Sequence, residues 1–442
     1  YVLMALSPSI FFVCISSVVR GYFAGMQDMR ASSRSQIIEQ LFKCGLTIAI
    51  VLLMSKFLSL KSTLTADKNA AFLAAGANLA TTLATVFSTA YIFIFYFVRR
   101  KDIKSKVSQT TIVNEKKSKL SSFKSILLIS IPISLGSIIA AINRIVDTAT
   151  ITRGIEIAFK ENIPAIFGNA QSILSPTIEQ LSNEAVRLAG ILAKSDTLLN
   201  LPISMNIAFA TVLVPSISAA LAKGEKKEAS KFVSYSFLIS LLIIFPCAAG
   251  FVSLAEPIFK LLYPTVPYGY QLLQLSSIAL IFIALNQTIS GSLQGIGKVY
   301  APATGLLLGC IAKFILNVIL IRIPSINIYG APISSIACQV ISFTYGFSIL
   351  KNQISLKLDL KKYIIKPLLC AFTMGIIAFL SYRIVFVITN INIIAVSVSI
   401  ILSVLSYFSL IFKTNTLNKD DINMLPMGDK LYRISRKLHL SK

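Results

Sequence analysis

The chain has 442 residues, 55% of them apolar and only 14% charged, with a mean hydropathy of +0.76. Soluble domains carry about 25% charged residues, so a sizeable soluble domain is excluded and a polytopic membrane protein is expected. The net charge of +24 would suit nucleic acid, but its distribution assigns it to topology and to anionic lipid, and no nucleic-acid partner is expected.

A window of about 19 residues predicts spans near 2–19, 38–55, 71–98, 125–151, 196–221, 232–254, 273–294, 302–322, 328–350, 364–388 and 391–412, about eleven helices in all. Lysine and arginine concentrate in the connections 20–36, 99–124, 222–231, 295–301 and 351–363 and in the tail, and are sparse in the alternate connections. That bias predicts a multi-pass plasma-membrane protein with linker 99–124 and the C-terminal tail in the cytoplasm. The expected divisions are the remaining half of an N-terminal bundle (1–98), a basic linker (99–124), a C-terminal bundle of about six helices (125–350), two added helices (351–412) and a basic tail (413–442).

The longest outer connection is 153–195. Its acids, Glu156, Glu161, Glu179 and Glu184, balance its bases, and Pro164 and Pro176 interrupt it. It reads as a surface helix or a partly re-entrant lid. The linker 99–124 lacks apolar periodicity and reads as a bridge between two bundles.

A weak internal repeat supports that division. Setting 11–52 beside 281–322 matches Phe12 with Phe282, Gly21 with Gly291, Gly25 with Gly295, Ala31 with Ala301 and Lys43 with Lys313. Transporters are commonly built from repeated halves. By that symmetry about three further spans are expected before Tyr1, and the chain reads as N-terminally truncated.

Ionisable residues inside spans are costly in lipid and mark candidate sites. In 125–152, Ser130, Ser134, Ser137, Ala141, Arg144 and Thr148 recur at helical spacing and form a small, polar face. Arg144 and Asp147, at i and i+3, are read as a pair on that face, lining a cavity or held for structure near the outer surface. Glu39 and Lys43, at i and i+4, form a similar pair, in a cavity or in a cytoplasmic extension of their helix. Lys313 has no acid nearby in its own span; unless it snorkels it needs a partner or an anion. Arg383, near a helix end, reads as an interface anchor.

A cavity lined by Arg and Lys suits an anionic cargo such as a phosphate or diphosphate. GSLQGIGK at 291–298 fails the phosphate-loop spacing and follows an apolar span, so nucleotide binding is rejected. Six cysteines without a CxxC pair, and His439 alone in the tail, argue against a zinc site and against a Ser–His–Asp arrangement. No enzymatic activity and no bound cofactor are expected, while coupling to an ion gradient or to the membrane potential fits the class.

Several stretches resemble a known group. RGYFAGMQDM (20–29), SQIIEQ (35–40), DTLLNLPISMNIAFATVLVPSISAALAKGEKKEA (196–229), LYPTVPYG (262–269) and SGSLQGIGKVYAPATG (290–305) are similar to stage V sporulation protein B and the lipid II flippases. Both belong to the multidrug/oligosaccharidyl-lipid/polysaccharide (MOP) exporter superfamily. The resemblance implies an all-α membrane fold of two pseudo-symmetric helical bundles plus two C-terminal helices, with about eleven of some fourteen helices present. It implies alternating access to an undecaprenyl-diphosphate-linked cell-wall precursor, possible work in spore cortex synthesis, membrane lipids as partners, and wall-synthesis enzymes nearby. Arginines line the cavity in the best-known flippases; Thr197 stands about where such relatives carry one. Asp147 matches an aspartate expected near the end of the seventh helix. The alternatives are a cation-coupled multidrug exporter of the same superfamily and a non-transporting scaffold for wall synthesis.

Overall fold

A hydrocarbon interior offers no water to backbone amides, so long apolar runs form helices that satisfy their own N–H and C=O groups. The computed structural model describes residues 1–26, 29–60, 66–109, 119–169, 171–354, 359–414 and 416. Ten described helices are long and apolar enough to cross a membrane. The chain divides into two compact units, Tyr1–Lys117 and Ser118–Lys442. Residues 110–118 of the expected linker, and the tail from 417 onward with His439, lie outside the described residues.

The first unit holds α1 (Val2–Gly25), α2 (Met29–Leu60) and α3 (Ala66–Gln109). α3 packs along both α1 and α2, which touch each other sparsely. Small residues make that approach possible: Ala80, Ala84 and Ser88 of α3 and Ala31 of α2 are buried, so backbones come close. Across the seam, Thr82 Oγ1 donates to the Ala5 carbonyl (2.5 Å) and Thr89 Oγ1 to the Phe12 carbonyl (3.2 Å). α3 runs on into the basic stretch 99–109. Extending an existing helix costs far less than nucleating one, so this part of the linker is helical despite its lack of an apolar face.

The second unit begins with α4 (Lys119–Ala158) and a short antiparallel hairpin, β1 (Asn162–Ile163) and β2 (Ile173–Leu174), with Asn162 opposite Leu174. Then come α5 (Ile178–Ala222), α6 (Lys226–Leu262), α7 (Tyr270–Gly295), α8 (Ala301–Leu320), α9 (Gly330–Gln353), α10 (Lys366–Thr389) and α11 (Asn392–Lys413). The connection 153–195 is therefore a hairpin between two helix ends. Its turn passes through Phe167 (φ 46°) and Gly168 (φ 96°). Arg187 holds it: Nη1 donates to the Phe167 carbonyl (2.7 Å), while Nε and Nη2 grip the two oxygens of the buried Glu184 (2.7 Å each).

α5 starts at a reciprocal cap in which Gln180 N donates to Thr177 Oγ1 and Thr177 N to Gln180 Oε1 (3.3 and 2.9 Å). It has 45 residues, about 68 Å at 1.5 Å per residue. The expected span 196–221 is thus only its second half. The first half is amphipathic: Leu181, Ala185, Leu188, Ile191 and Leu192 are buried with Ile151, Ile155 and Phe159 of α4 and the turn after it.

The trio α7, α8 and α9 repeats the packing of α1, α2 and α3: α9 packs along both α7 and α8, which touch sparsely. The closest approach is at Gly309 of α8, where an added Cβ would lie 2.4 Å from the Cys338 carbonyl oxygen. That neighbour is backbone and cannot turn aside. Gly309→Ala is expected to lower stability by about 1–3 kcal/mol, read as a lower thermal unfolding midpoint in detergent. An unchanged midpoint would contradict this close approach.

α10 and α11 pack on each other and on α6. Tyr407 Oη donates to the Leu242 carbonyl (2.9 Å) and Asn392 Nδ2 to the Pro257 carbonyl (3.1 Å). α6 bends at Leu254 (φ −113°, ψ 15°), three residues before Pro257, whose ring removes one backbone donor and crowds the preceding turn.

Candidate functional site

Asp147 and Thr150 stand one turn apart on α4, and Lys313 and Asn317 one turn apart on α8. The two helices pack together, and these faces meet. Lys313 Nζ donates to Asp147 Oδ2 at 2.6 Å. Asn317 Nδ2 donates to Asp147 Oδ1 (3.1 Å) and to Thr150 Oγ1 (2.9 Å). Thr150 Oγ1 donates to the Val146 carbonyl (2.6 Å), and Ser334 of α9 donates to Asn317 Oδ1. Lys313 is only 3% exposed and Asn317 and Ser334 are fully enclosed, while the Asp147 side chain keeps 27% exposure. An ammonium at that depth is tolerated only when paired and hydrogen-bonded. Asp196 of α5 lies within the electrostatic reach of both charges.

This corrects the expected Arg144–Asp147 pair. Asp147 spends its charge on Lys313, and the exposed Arg144 side chain makes no hydrogen bond or ion pair among the described residues. Lys313, expected to seek a partner or an anion, has its partner within the bundle. Asn317, Thr150 and Ser334 were not among the candidates. The signal available for them was the i, i+4 spacing of Lys313 with Asn317 and the i, i+3 spacing of Asp147 with Thr150.

The first unit has a parallel correction. Glu39 pairs with Arg20 of α1 at 2.7 Å rather than with Lys43. Arg20 also donates from Nε to Ser35 Oγ (3.0 Å) and from Nη2 to Ser88 Oγ (2.8 Å). Lys43 is exposed. Arg20 escaped notice because it reads as the first basic residue of a loop; α1 in fact continues through it to Gly25.

Beside α6 runs an apolar groove of about 590 Å³. Leu201 and Met205 of α5, Ile243 and Phe251 of α6, Met374 of α10 and Phe408 of α11 are among its walls. Gly250 also borders it, and a Cβ at Gly250 would meet nothing within 4 Å.

Comparison with known proteins gives the following. A family model described as "Lipid II flippase MurJ" matches residues 1–405. Three curated relatives come from Bacillus subtilis (strain 168): of these, "Uncharacterized membrane protein YabM" is 26% identical over 73% of this chain and 53% of its own length. "Lipid II flippase MurJ" is 24% identical over 85% and 64%, and "Stage V sporulation protein B" is 22% identical over 98% and 76%. The chain thus spans between about half and three quarters of these relatives. Among solved structures, "Lipid II flippase MurJ, inward closed conformation" aligns with a TM-score of 0.55 at 15% identity, over 94% of this chain and 75% of that one. An outward-facing "multidrug resistance MATE family transporter of the MOP superfamily" aligns at 0.54 and 16% identity, over 79% and 69%. At these identities the structural likeness speaks for the all-α MOP fold alone.

Proposed function

We propose that this chain, which belongs to the lipid II flippase MurJ family, carries an undecaprenyl-diphosphate-linked cell-wall precursor across the plasma membrane by alternating access. The observation that carries the reading is the groove of about 590 Å³ beside α6 and α11, whose walls are almost wholly apolar. Such walls match the apolar surroundings an isoprenoid tail has in lipid, so the tail can lodge there by van der Waals packing at no desolvation cost. The diphosphate needs a cation that is not already paired. Arg144 fits that role, with Lys43 as a second candidate; Lys313 is committed to Asp147, and Glu39 to Arg20. Asp147 and Lys313 would then shape the site through each other.

Transport of this kind forms no covalent bond and needs no resident cofactor; an ion gradient or the membrane potential would drive it. Linker 99–124 and the tail 413–442 would lie in the cytoplasm, as their basic residues favour. Membrane lipids and wall-synthesis enzymes would be its neighbours. The likeness to stage V sporulation protein B supports a role in spore cortex synthesis.

The test is reconstitution in vesicles with labelled lipid-linked disaccharide pentapeptide. Movement between leaflets is expected, and Arg144→Ala should slow it about tenfold or more, the loss of one charge-assisted contact. Gly250→Phe, which fills the groove without a clash at Cβ, should slow it about tenfold as well at nearly unchanged stability. Vesicles that move a cationic drug and leave the lipid in place would replace this reading with a cation-coupled multidrug exporter of the same superfamily.

A further inference from the structure

In the second unit, α4, α5, α7, α8 and α9 line a separate, half-open cavity of about 480 Å³. Among the described residues, its polar lining has no ionisable side chain. It consists of hydroxyls, with Ser137 at the edge, and five carboxamides: Asn143, Asn286, Gln287, Gln294 and Gln339. Some of these atoms are used within the bundle. Asn286 Nδ2 donates to the Gln339 carbonyl and to Gln339 Oε1 (2.8 and 2.7 Å). Asn206 Nδ2 donates to Gln287 Oε1 (2.8 Å). Those bonds fix the orientation of the amides and leave their other ends free. Among the described residues, Gln287 Nε2, Gln339 Nε2 and Asn286 Oδ1 make no hydrogen bond and the Gln294 side chain makes none, and these atoms remain accessible, whereas Asn143 Oδ1 is sealed within the bundle without a partner.

Accessible amide donors and acceptors that no side chain of the bundle engages are available to a polar ligand. They occur here on several helices around one space, and both kinds are present. A phosphate would want cations and a metal ion would want carboxylates; the lining has neither. The complementary ligand is uncharged and carries donors and acceptors side by side, as a saccharide ring with hydroxyls and an N-acyl amide does. A volume of this size lies in the range that holds a drug-sized ligand.

We propose that this cavity binds the uncharged, N-acetylated saccharide part of the cargo, separately from the contact made to its diphosphate. The assignment of the cargo rests on the flippase reading above. The amides would recognise the sugar by hydrogen bonds, and the absence of charge in the lining would turn away the anionic end.

The test uses the purified full chain in nanodiscs and two probes, N,N′-diacetylchitobiose and undecaprenyl diphosphate without sugar. Ser137→Leu and Gln294→Leu narrow the cavity without cutting a bond between helices, because Ser137 Oγ donates only within α4, to the Ile133 carbonyl (3.3 Å). Chitobiose should bind the wild-type chain and bind each variant about tenfold more weakly. Undecaprenyl diphosphate should bind all three within about twofold of each other. Absence of chitobiose binding to the wild-type chain, or equal binding to the variants, overturns the saccharide site. If either variant fails to fold, wild-type binding of chitobiose decides. Chitobiose binding without undecaprenyl diphosphate binding upholds the saccharide site and overturns the flippase reading instead.

Discussion

Asp147→Asn is expected to cost the second unit about 2–4 kcal/mol, seen as a lower thermal unfolding midpoint in detergent, and to stop transport. Asparagine keeps the shape of the side chain and an acceptor oxygen for Asn317 Nδ2, so what is lost is the charge. Lys313 then holds an ammonium that is 3% exposed with no carboxylate against it. Removing one partner of a fully buried pair costs about 3–5 kcal/mol; the 27% exposure of Asp147 admits some solvent and trims that figure. Lys313→Met should cost less, because it leaves a carboxylate that still reaches solvent and still accepts from Asn317 at 3.1 Å. The double variant, Asp147→Asn with Lys313→Met, should recover most of the stability, since an uncharged pair of similar volume has nothing to desolvate. An additive double would show that the charges do not interact, and equal losses for the two single variants would overturn the expected difference between them. Transport measured on the double variant then separates stability from function: a well-folded chain that no longer moves lipid assigns the pair a role in the cycle.

Arg20→Ala is the second large effect, expected at about 2–3 kcal/mol in the first unit. One guanidinium joins three helices: α1, which carries it; α2, through Glu39 and Ser35; and α3, through Ser88. Ser88 Oγ in turn donates to the Ser35 carbonyl (3.0 Å), so the loss spreads along the seam. α1 and α2 touch each other sparsely, which leaves the arginine as a main tie between them. Arg20→Lys separates charge from geometry. A lysine keeps the attraction to Glu39 but lacks the planar fork that reaches two acceptors at once, and should recover about half of the loss. Proteolysis in the 27–35 region, followed over time, provides a local readout beside the unfolding midpoint. Full recovery by lysine would mean that a point charge suffices.

The repeat was legible in the sequence through Ala31 with Ala301, both buried where helices press together, whereas Gly21 is exposed and its match Gly291 lies close to the Ala210 carbonyl. The matched lysines show the limit of that reading. Lys43 and Lys313 occupy equivalent positions in the alignment, yet Lys43 is exposed and Lys313 is buried against α4. The long α5 was only half legible. Its apolar half reads as a span by composition, whereas its polar half is held helical by packing on α4 and by the cap at Thr177.

The sequence by itself determined that this protein is helical and membrane-spanning, and where most of its spans run. Hydrocarbon imposes those answers locally, through length and polarity, within about 20 residues. Only the tertiary structure decided which charges meet. Spacing within one helix reveals neighbours at i+3 and i+4, and it suggested Arg144 for Asp147 and Lys43 for Glu39. The partners chosen are Lys313, 166 residues from Asp147, and Arg20, 19 residues before Glu39. In a membrane interior the larger gain goes to whichever opposite charge is enclosed on the facing helix, where solvent screens it least, and helix facing is a property of the packed bundle.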